Sequence, residues 1–234
     1  MTDFDAFEAL TFDCYGTLID WERGILEALG PMLAAHGVVG GQADGVLERF
    51  ARLESTIQAG SFLSYREVLA GVARGFGAEL GFRPSAEEVA GFAGSVPSWP
   101  PFADTVDALR ALALRYRLAV VSNVDDDLFA GTARQLGVTF DHVVTAQQLK
   151  SYKPATAHFD EALRRLGLPR DRVLHVAQSL FHDIAPAKAL GFSCVWVNRR
   201  MGKARGGATA AASAEPDLEV PDLATLVALM GFDA

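Results

Sequence analysis

The chain has 234 residues, of which 50% are hydrophobic and 21% charged, as is typical of a globular protein with a sizeable core. Its net charge of −8 argues against sequence-independent nucleic-acid binding, which needs clustered Lys and Arg. No apolar stretch is long enough to span a membrane, and the acidic N-terminus lacks the regions of a signal peptide, so we expect a cytoplasmic protein without a membrane partner. Cys14 and Cys194 lie in apolar runs, and we expect them to be buried free thiols.

The first predicted strand runs from Ala9 to Asp13 and therefore ends in a carboxylate. After a turn, the chain is helical as far as the proline-rich segment V-P-S-W-P-P-F, which is typical of a domain boundary. This pattern predicts a helical cap domain at residues 21–96, inserted into a core domain formed by residues 1–20 and 97–234. The predicted cap helices are Glu22–His36, Asp44–Gln58, Ser64–Gly77 and Ser85–Gly94.

Strands and helices alternate in the rest of the chain. Further buried strands are predicted at Leu118–Asn123, His142–Ala146, Val173–Gln178 and Cys194–Asn198. Helices are predicted at Asp104–Tyr116, Asp127–Leu136, Thr156–Leu166 and Asp183–Leu190. The alternation predicts an α/β fold with a Rossmann-like parallel sheet covered on both faces. The glycine-rich segment at residues 201–216 neither follows a strand tightly nor opens a helix with G-K-S/T, so a surface loop is expected rather than a phosphate loop.

Polar side chains stand at the carboxyl ends of the first four strands, which form the ligand crevice in open α/β sheets. They are Asp13, then Ser122 and Asn123, then Lys153 in the following loop, and finally Gln178, Ser179, His182 and Asp183. A carboxylate, a cation and hydrogen-bonding groups are what covalent catalysis by an aspartate requires. Each residue also has a structural interpretation: an acid can cap a turn or helix, and a lysine can be solvated. Their occurrence together at four strand ends favours a shared site.

The motifs F-D-C-Y-G-T-L, V-S-N, Y-K-P and H-D-I-x-x-A-K-A-L-G resemble those of the haloacid dehalogenase superfamily, over nearly the whole chain. D-x-Y-G-T-L with S-N and Y-K-P resembles its L-2-haloacid dehalogenase branch. The longer strings F-D-C-Y-G-T-L-I-D-W-E and Q-S-L-F-H-D also resemble azetidine-2-carboxylate hydrolase, a member of that branch.

The resemblance implies that Asp13 is a nucleophile that displaces a leaving group from C2 of a small carboxylic acid and forms an ester. Lys153 would keep Asp13 ionised, because an opposite charge nearby lowers a carboxylate pKa. Thr17 would hydrogen-bond the same carboxylate, and Asp183 would activate the water that cleaves the ester to a 2-hydroxy acid.

The resemblance also implies how the substrate is bound. Its carboxylate would contact Ser122 and backbone N–H groups near Cys14 and Tyr15, while Asn123 would face the leaving group. In dehalogenases a cap arginine helps to stabilise the substrate and the departing halide. The other candidates for substrate contact are Arg49, Arg52, Trp21, Gln178, Ser179 and His182.

Three of these candidates have alternatives. Arg49 and Arg52 share a helix face, and either could instead pair with a nearby glutamate; the pattern F-x-R-x-E-S favours Arg52. Trp21 could line the pocket or only pack at the boundary between cap and core. His182 could protonate a leaving amine, but a structural histidine satisfied by local hydrogen bonds is favoured.

Several departures from related motifs narrow the function. Phosphatases of the superfamily carry an aspartate at the position of Tyr15 and a second acidic cluster, of which this chain has only Asp183. We therefore expect no obligatory metal, no cofactor and no notable phosphatase activity. Dehalogenases carry asparagine and tyrosine at the positions of Leu180 and Phe159, so the leaving group could differ from a halide.

The sequence leaves four functions open. The first is a 2-haloacid dehalogenase, and the second is a hydrolase that opens L-azetidine-2-carboxylate. The second needs a carboxylate or an aromatic face for the amine, for which Trp21 and the acidic residues 125–127 are candidates. The third is a phosphatase and the fourth a non-catalytic binding protein. The resemblance also suggests a homodimer.

Overall fold

A central sheet of six parallel strands forms the core of the protein, in the order β3-β2-β1-β4-β5-β6. The computed structural model describes residues 2–38, 43–202, 208 and 212–232. The strands are β1 (Ala9–Phe12), β2 (Arg117–Ser122), β3 (His142–Thr145), β4 (Val173–Ala177), β5 (Ser193–Val197) and β6 (Leu218–Val220). The predicted α/β fold with a parallel sheet is therefore confirmed.

The strand register brings the predicted polar residues to one edge of the sheet. Phe12, the last residue of β1, is opposite Val120 of β2 and Val176 of β4. The residues that follow β1, β2 and β4 therefore leave the sheet side by side. All residues of β1 and β4 are buried, which explains why both strands are continuous apolar runs in the sequence.

Four helices follow β1 before the proline-rich segment: α1 (Trp21–Ala35), α2 (Ala43–Gln58), α3 (Tyr65–Leu80) and α4 (Ala86–Ala93). Helices α3 and α4 both begin with a capping box, in which Ser64 pairs with Glu67 and Ser85 with Glu88. We call α1–α4 the helical insert; within the described residues, the insert has no strand. Its status as a separate domain stays a prediction.

The remaining helices cover the sheet. They are α5 (Thr105–Ala113), α6 (Asp126–Leu136), α7 (Ala146–Leu149), α8 (Ala157–Leu166), α9 (Ala185–Ala189) and α10 (Leu223–Leu229). The structure differs from the prediction at Asp183–Leu190, where a π-helical turn at Leu180–Ile184 precedes a short α9. The edge strand β6 and helix α10 were not predicted, because β6 has only three residues and follows the glycine-rich segment.

Asp125 joins the helical insert to the core. Its Oδ1 and Oδ2 accept hydrogen bonds from the backbone N–H groups of Tyr65 and Arg66, both at 2.9 Å, and the side chain is buried. The carboxylate thus caps the N-terminus of α3 from outside the helix, where negative charge is favourable. Asp126 begins α6, one residue before the start predicted from the sequence.

The expected surface loop and the expected lack of a membrane-spanning segment can be compared with the structure only for the described residues. Half of the predicted surface loop at residues 201–216 lies outside the described residues. Of the helices that the structure describes, none combines the length and apolar character needed to cross a membrane.

Candidate active site

The Asp13 carboxylate lies directly after β1, where a tight turn holds it. Thr17 Oγ1 donates to Asp13 Oδ2 at 2.7 Å and accepts from the Gln178 backbone N–H at 2.9 Å. Gly16 has a φ of +95°, and a Cβ there would lie 3.0 Å from Trp21 Nε1 and 3.1 Å from Gln178 Oε1. The turn therefore depends on glycine for its backbone angle and for space. The predicted contact between Thr17 and Asp13 is present.

Lys153 connects two carboxylates from different strand ends. Its Nζ donates to Asp13 Oδ1 at 2.9 Å, to Asp183 Oδ1 at 2.6 Å and to the Val121 carbonyl at 2.9 Å. The side chain is only 1% exposed. Three acceptors satisfy the three donors of the ammonium group, which offsets the free-energy cost of burying its charge.

Asn123 fixes the position of Lys153 in its loop. Its Oδ1 accepts from the Lys153 backbone N–H at 2.7 Å, and its Nδ2 donates to the Lys153 carbonyl at 3.1 Å. Asn123 lines the cavity, yet both ends of its amide bind this backbone. Its polar atoms therefore position the lysine, and the contact of Asn123 with a leaving group stays a prediction.

Asp183 is supported by His175, a residue that the sequence analysis did not identify. His175 Nε2 lies 3.2 Å from Asp183 Oδ1, and its Nδ1 lies 3.0 Å from Thr11 Oγ1. Burial raises the pKa of Asp183, but Lys153 and His175 outweigh that effect and lower it to about 2. Asp183 Oδ2 is buried and has no hydrogen-bond partner among the described residues, so one oxygen is available to bind water.

The nucleophile candidate has a different electrostatic environment. Burial raises the pKa of Asp13 above its usual value, against the opposing effect of Lys153. Lys153 lowers the pKa of Asp13, as expected from the sequence, but desolvation is the larger influence and the net shift is upward. A carboxylate with little hydration is also more reactive toward carbon than one in water.

Ser122 offers a buried hydroxyl without a partner. Its side chain is 0% exposed, and its Oγ makes no hydrogen bond to any described residue. Leaving such a group unpaired costs about 1–3 kcal/mol. The backbone N–H groups of Cys14 and Tyr15 likewise donate to no acceptor in the described part of the chain. Since Ser122 lines the cavity, it can bind a substrate oxygen.

Tyr15 and Trp21 form part of the cavity wall. Tyr15 OH lies 2.9 Å from Thr132 Oγ1, and burial raises the pKa of the phenol well above its ordinary value. Trp21 lines the cavity and also packs edge-on against Phe50, so both of its proposed roles occur together. The Cys14 side chain is fully buried, and its carbonyl accepts from the turn amides, which leaves its backbone N–H as its contribution to the site.

His182 and Ser179 bind each other at the start of the π-helical turn. Ser179 Oγ accepts from the His182 backbone N–H at 2.9 Å and lies 3.2 Å from Nδ1. Burial lowers the pKa of His182 to about 4, so the ring is neutral near pH 7. Both residues and Gln178 line the cavity. The local hydrogen bonds agree with the structural role favoured for His182.

The two cap arginines lie away from the cavity. Both donate to Glu79 of α3. Arg49 Nη1 lies 2.8 Å from Oε2, while Arg52 binds both oxygens, with Nη1 2.8 Å from Oε1 and Nη2 2.7 Å from Oε2. The expectation that one of them contacts the substrate is corrected by this geometry. Phe50 and Glu54 are the buried residues in this part of α2, so residues 49 and 52 fall on another face.

Glu54, Gln58 and Tyr65 are the residues of α2 and α3 that line the cavity instead. Tyr65 OH donates to Glu54 Oε1 at 2.7 Å, and Glu54 is 7% exposed. Burial raises the pKa of Glu54 to about 7, against the opposing effect of this hydrogen bond. From the sequence, a glutamate near Arg49 and Arg52 is expected only as their ion-pair partner. The i, i+4 spacing of residues 54 and 58 was the available signal.

The residues of this site do not fit a divalent metal ion. The Lys153 ammonium lies between the Asp13 and Asp183 carboxylates and binds both, so the two acids already share a cation. Tyr15 supplies a phenol bound to Thr132 in place of a third carboxylate. Hard divalent ions prefer several free oxygen ligands. Within the described residues, no group of three or more His, Cys, Asp or Glu side chains could hold a metal.

Phe159 and Leu180 replace polar residues of related motifs with apolar contacts. The Phe159 ring is buried and packs edge-on against His175, with 5.1 Å between the ring centroids. Leu180 is the first residue of the π-helical turn and packs against a buried hydrophobic cluster that includes Phe159, Ile184 and Phe192. Both substitutions support His175 and the turn that carries Asp183, and neither brings a polar group to the site.

A family model, curated relatives and a solved structure all match this chain, and all carry haloacid or haloacetate dehalogenase names. Residues 7–191 match a family model described as haloacid dehalogenase-like hydrolase. The (S)-2-haloacid dehalogenase H-109 of Pseudomonas putida is 28% identical over 222 residues, which cover 92% of this chain and 94% of that protein. The haloacetate dehalogenase H-2 of Moraxella sp. (strain B) is 26% identical over 229 residues, which cover 95% and 97%. The structure of the L-2-haloacid dehalogenase from Xanthobacter autotrophicus with chloropropionic acid covalently bound has a TM-score of 0.78 and 22% identity, covering 96% of this chain and 98% of that chain.

Proposed function

The chain belongs to the haloacid dehalogenase-like hydrolases, and we propose that it uses Asp13 as a nucleophile to displace a leaving group from C2 of a small 2-substituted carboxylic acid. The observation that carries this proposal is the Asp13–Lys153–Asp183 arrangement, in which one buried ammonium group binds both carboxylates. Such an arrangement aims one carboxylate at the substrate and keeps the second available for a later step.

In the first step, a carboxylate oxygen of Asp13 attacks C2 from the side opposite the leaving group. The new C–O bond forms as the leaving group departs with its electron pair, and the configuration at C2 is inverted. Ser122 Oγ and the backbone N–H groups of Cys14 and Tyr15 bind the substrate carboxylate, because they have free donor capacity beside Asp13. This contact holds C2 close to the nucleophile.

In the second step, water cleaves the ester at the Asp13 carbonyl carbon. The unpartnered Asp183 Oδ2 accepts a hydrogen bond and then a proton from this water. Lys153 stabilises the charge that develops on the carbonyl oxygen, since its Nζ already lies 2.9 Å from Asp13 Oδ1. The products are a 2-hydroxy acid and the regenerated Asp13 carboxylate.

The first candidate for the leaving group is a halide, because the relatives are named as haloacid dehalogenases. A second candidate is the ring nitrogen of L-azetidine-2-carboxylate, which would give 4-amino-2-hydroxybutyrate. The observation that favours this second candidate is the carboxylate of Glu54 on the cavity wall, where an arginine was expected.

The test is a comparison of turnover with L-2-chloropropionate and L-azetidine-2-carboxylate, with and without EDTA. We expect turnover of at least one substrate, no effect of EDTA, and no turnover by Asp13→Asn. p-Nitrophenyl phosphate serves as the control for phosphatase activity. Phosphatase turnover that EDTA abolishes, or full activity of Asp13→Asn, would refute the proposal.

A further inference from the structure

Arg199 follows strand β5 and reaches the turn at residues 14–19, which comes directly after Asp13. Its side chain is 8% exposed. Nη2 and Nε donate to the Thr17 carbonyl at 2.8 and 3.2 Å, so two donors bind one oxygen. Of the residues that the structure describes, Arg199 is the only one that donates to this carbonyl. Because Thr17 is fully buried, loss of the arginine would leave its carbonyl unpaired, which is costly.

Asp104 and Phe102 hold the guanidinium group of Arg199 in place. Both Asp104 oxygens accept from Nη1, at 2.8 and 2.9 Å, and Oδ2 also accepts from the Leu223 backbone N–H at 2.7 Å. The Phe102 ring packs against the guanidinium, with 4.1 Å between its centroid and Cζ. The planar guanidinium can bind a carboxylate and a carbonyl at the same time in a fixed geometry. The group that contacts the turn is therefore rigidly supported.

Thr17 connects this contact to the nucleophile. Its Oγ1 accepts from the Gln178 backbone N–H at 2.9 Å, so its own proton is directed to Asp13 Oδ2, at 2.7 Å. The next carbonyl of the turn, that of Leu18, is bound independently by Thr105 Oγ1 at 2.8 Å. Since the Thr17 carbonyl and hydroxyl belong to one residue, a displacement of Thr17 would also move the hydroxyl relative to Asp13.

We propose that Arg199 is a positioning residue for the nucleophile, which fixes Thr17 through its carbonyl and so keeps the Thr17 hydroxyl on Asp13 Oδ2. This inference rests on the proposed nucleophilic role of Asp13. Arg199 is not among the described residues that line the cavity, and it acts through Thr17. With Oδ2 held by Thr17 and Oδ1 by Lys153, the Asp13 carboxylate has one orientation toward C2, as a displacement requires.

The Thr17 hydroxyl also affects the ionisation of Asp13. Burial raises the pKa of Asp13, and the hydrogen bonds from Lys153 and Thr17 oppose that effect. Loss of Arg199 should therefore raise the pKa of Asp13 further, because the displaced hydroxyl no longer stabilises the charged form. The other ionisable groups that face Asp13 from the turn, the strand ends and the helical insert are Cys14, Tyr15, Glu54, Tyr65, Lys153, His182 and Asp183.

The experiment is a double-mutant cycle of Arg199→Gln and Thr17→Val. Arg117→Gln is the matched control: Arg117 also binds a backbone carbonyl, that of Leu166 at 2.8 Å, but it lies at the first residue of β2, away from the carboxyl ends of the strands. Urea unfolding measures the stability of each variant. Carboxyl ¹³C NMR titration measures the pKa of Asp13, whose signal is identified by its absence in Asp13→Asn. Kinetics are measured with L-2-chloropropionate and L-azetidine-2-carboxylate.

We expect Arg199→Gln to lower kcat/KM about 10-fold and to raise the pKa of Asp13. In the Thr17→Val background, the same change should lower stability but leave kcat/KM and the pKa of Asp13 as in Thr17→Val alone, because the hydroxyl that it positions is gone. Arg117→Gln should lower stability only. If Arg199→Gln does not fold, Arg199→Lys replaces it in the cycle, since it keeps a positive charge beside Asp104.

Losses of kcat/KM that multiply in the double variant, or an unchanged pKa of Asp13 in the Arg199 variant, would overturn the positioning role, because Arg199 would then only stabilise the fold. The NMR titration needs no substrate, so it decides the inference even if neither compound reacts. The proposed function fails separately, when Asp13→Asn turns over substrate at the wild-type rate.

Discussion

At the scale of single residues, Asp13 and Asp183 differ in their surroundings, which fits the two different roles proposed for them. Lys153 donates a hydrogen bond to both carboxylates. The pKa of Asp183 is nevertheless low, because His175 adds a second favourable contact to that of Lys153, whereas burial raises the pKa of Asp13. The two carboxylates also differ in their free lone pairs, because both oxygens of Asp13 are bound while Asp183 Oδ2 has no hydrogen-bond partner among the described residues. This difference suits Asp13 to attack carbon and Asp183 to bind and activate water.

Removal of the general base should separate the two steps. In Asp183→Asn, the amide cannot accept a proton from water, so ester formation continues while hydrolysis slows by about 100- to 10,000-fold. Intact-mass spectrometry should show an adduct on the protein that maps to Asp13. A variant that turns over slowly without any adduct would contradict this assignment, and Asp13→Asn serves as the control that forms none.

Glu54 should make stability depend on pH. Its pKa is about 7 in the folded protein and near 4.5 when unfolded, so the folded state binds more protons between these values. The free energy of unfolding therefore falls as pH rises from about 4.5 to about 7, by up to roughly 3 kcal/mol. Other ionisable groups on the same cavity are Tyr15, Tyr65, Asp13, Asp183, Lys153 and His182.

Urea unfolding of wild type and Glu54→Gln between pH 5 and pH 8 measures this effect, since the other groups are common to both proteins. The stability of Glu54→Gln relative to wild type should increase with pH and level off above about pH 7. Curves that stay parallel over this range would show that Glu54 keeps an ordinary pKa.

At the scale of elements, the ends of the parallel strands determine where the site lies, and the turns that follow them orient its side chains. The strand ends could be predicted because buried parallel strands are apolar runs that stop at a polar residue, as at Asp13 and Ser122. The residues of the helical insert that line the cavity could not be predicted. Helical spacing groups Arg49 with Arg52 and Glu54 with Gln58, but it does not indicate which of these faces meets the core. A lone histidine within a strand, His175, gives no signal until the fold brings it to Asp183.

The nucleophile turn should tolerate no side chain at Gly16. Ala at this position meets both a φ of +95° and close contacts with Trp21 and Gln178, so Asp13 should shift and kcat/KM should fall at least about 10-fold. Gly91→Ala is the matched control: it lies within helix α4, where a Cβ has no neighbour within 4 Å, and should stabilise the protein by up to about 1 kcal/mol. Equal activities of the two variants would contradict a constrained turn.

At the scale of the whole molecule, the cavity is lined by two parts of the chain, the sheet with its loops and the helical insert. The sheet supplies Asp13, Lys153 and Asp183, and the helical insert supplies Glu54 and Tyr65. The residues proposed for the displacement chemistry and those proposed for leaving-group selection therefore lie on different elements.

The docking of the insert should depend on Asp125. Asp125→Ala leaves two backbone N–H groups at the start of α3 without acceptors, so it should destabilise the protein by about 1–3 kcal/mol and raise KM. Asp127→Ala removes only an exposed ion pair with Arg66 and should cost less than about 1 kcal/mol. Urea unfolding and steady-state kinetics measure both; equal effects of the two changes would contradict this role of Asp125.

The central claim is that Asp13 forms a covalent ester that water cleaves at the aspartate carbonyl. Turnover in H₂¹⁸O, followed by mass spectrometry of the peptide that contains Asp13, tests it most directly, with whichever of the two substrates reacts. Repeated turnover should place ¹⁸O in the Asp13 carboxylate, while the product of a single turnover should carry ordinary oxygen from the protein. An unlabelled Asp13 peptide together with ¹⁸O in the product of a single turnover would contradict the account, because water would then have attacked the substrate directly.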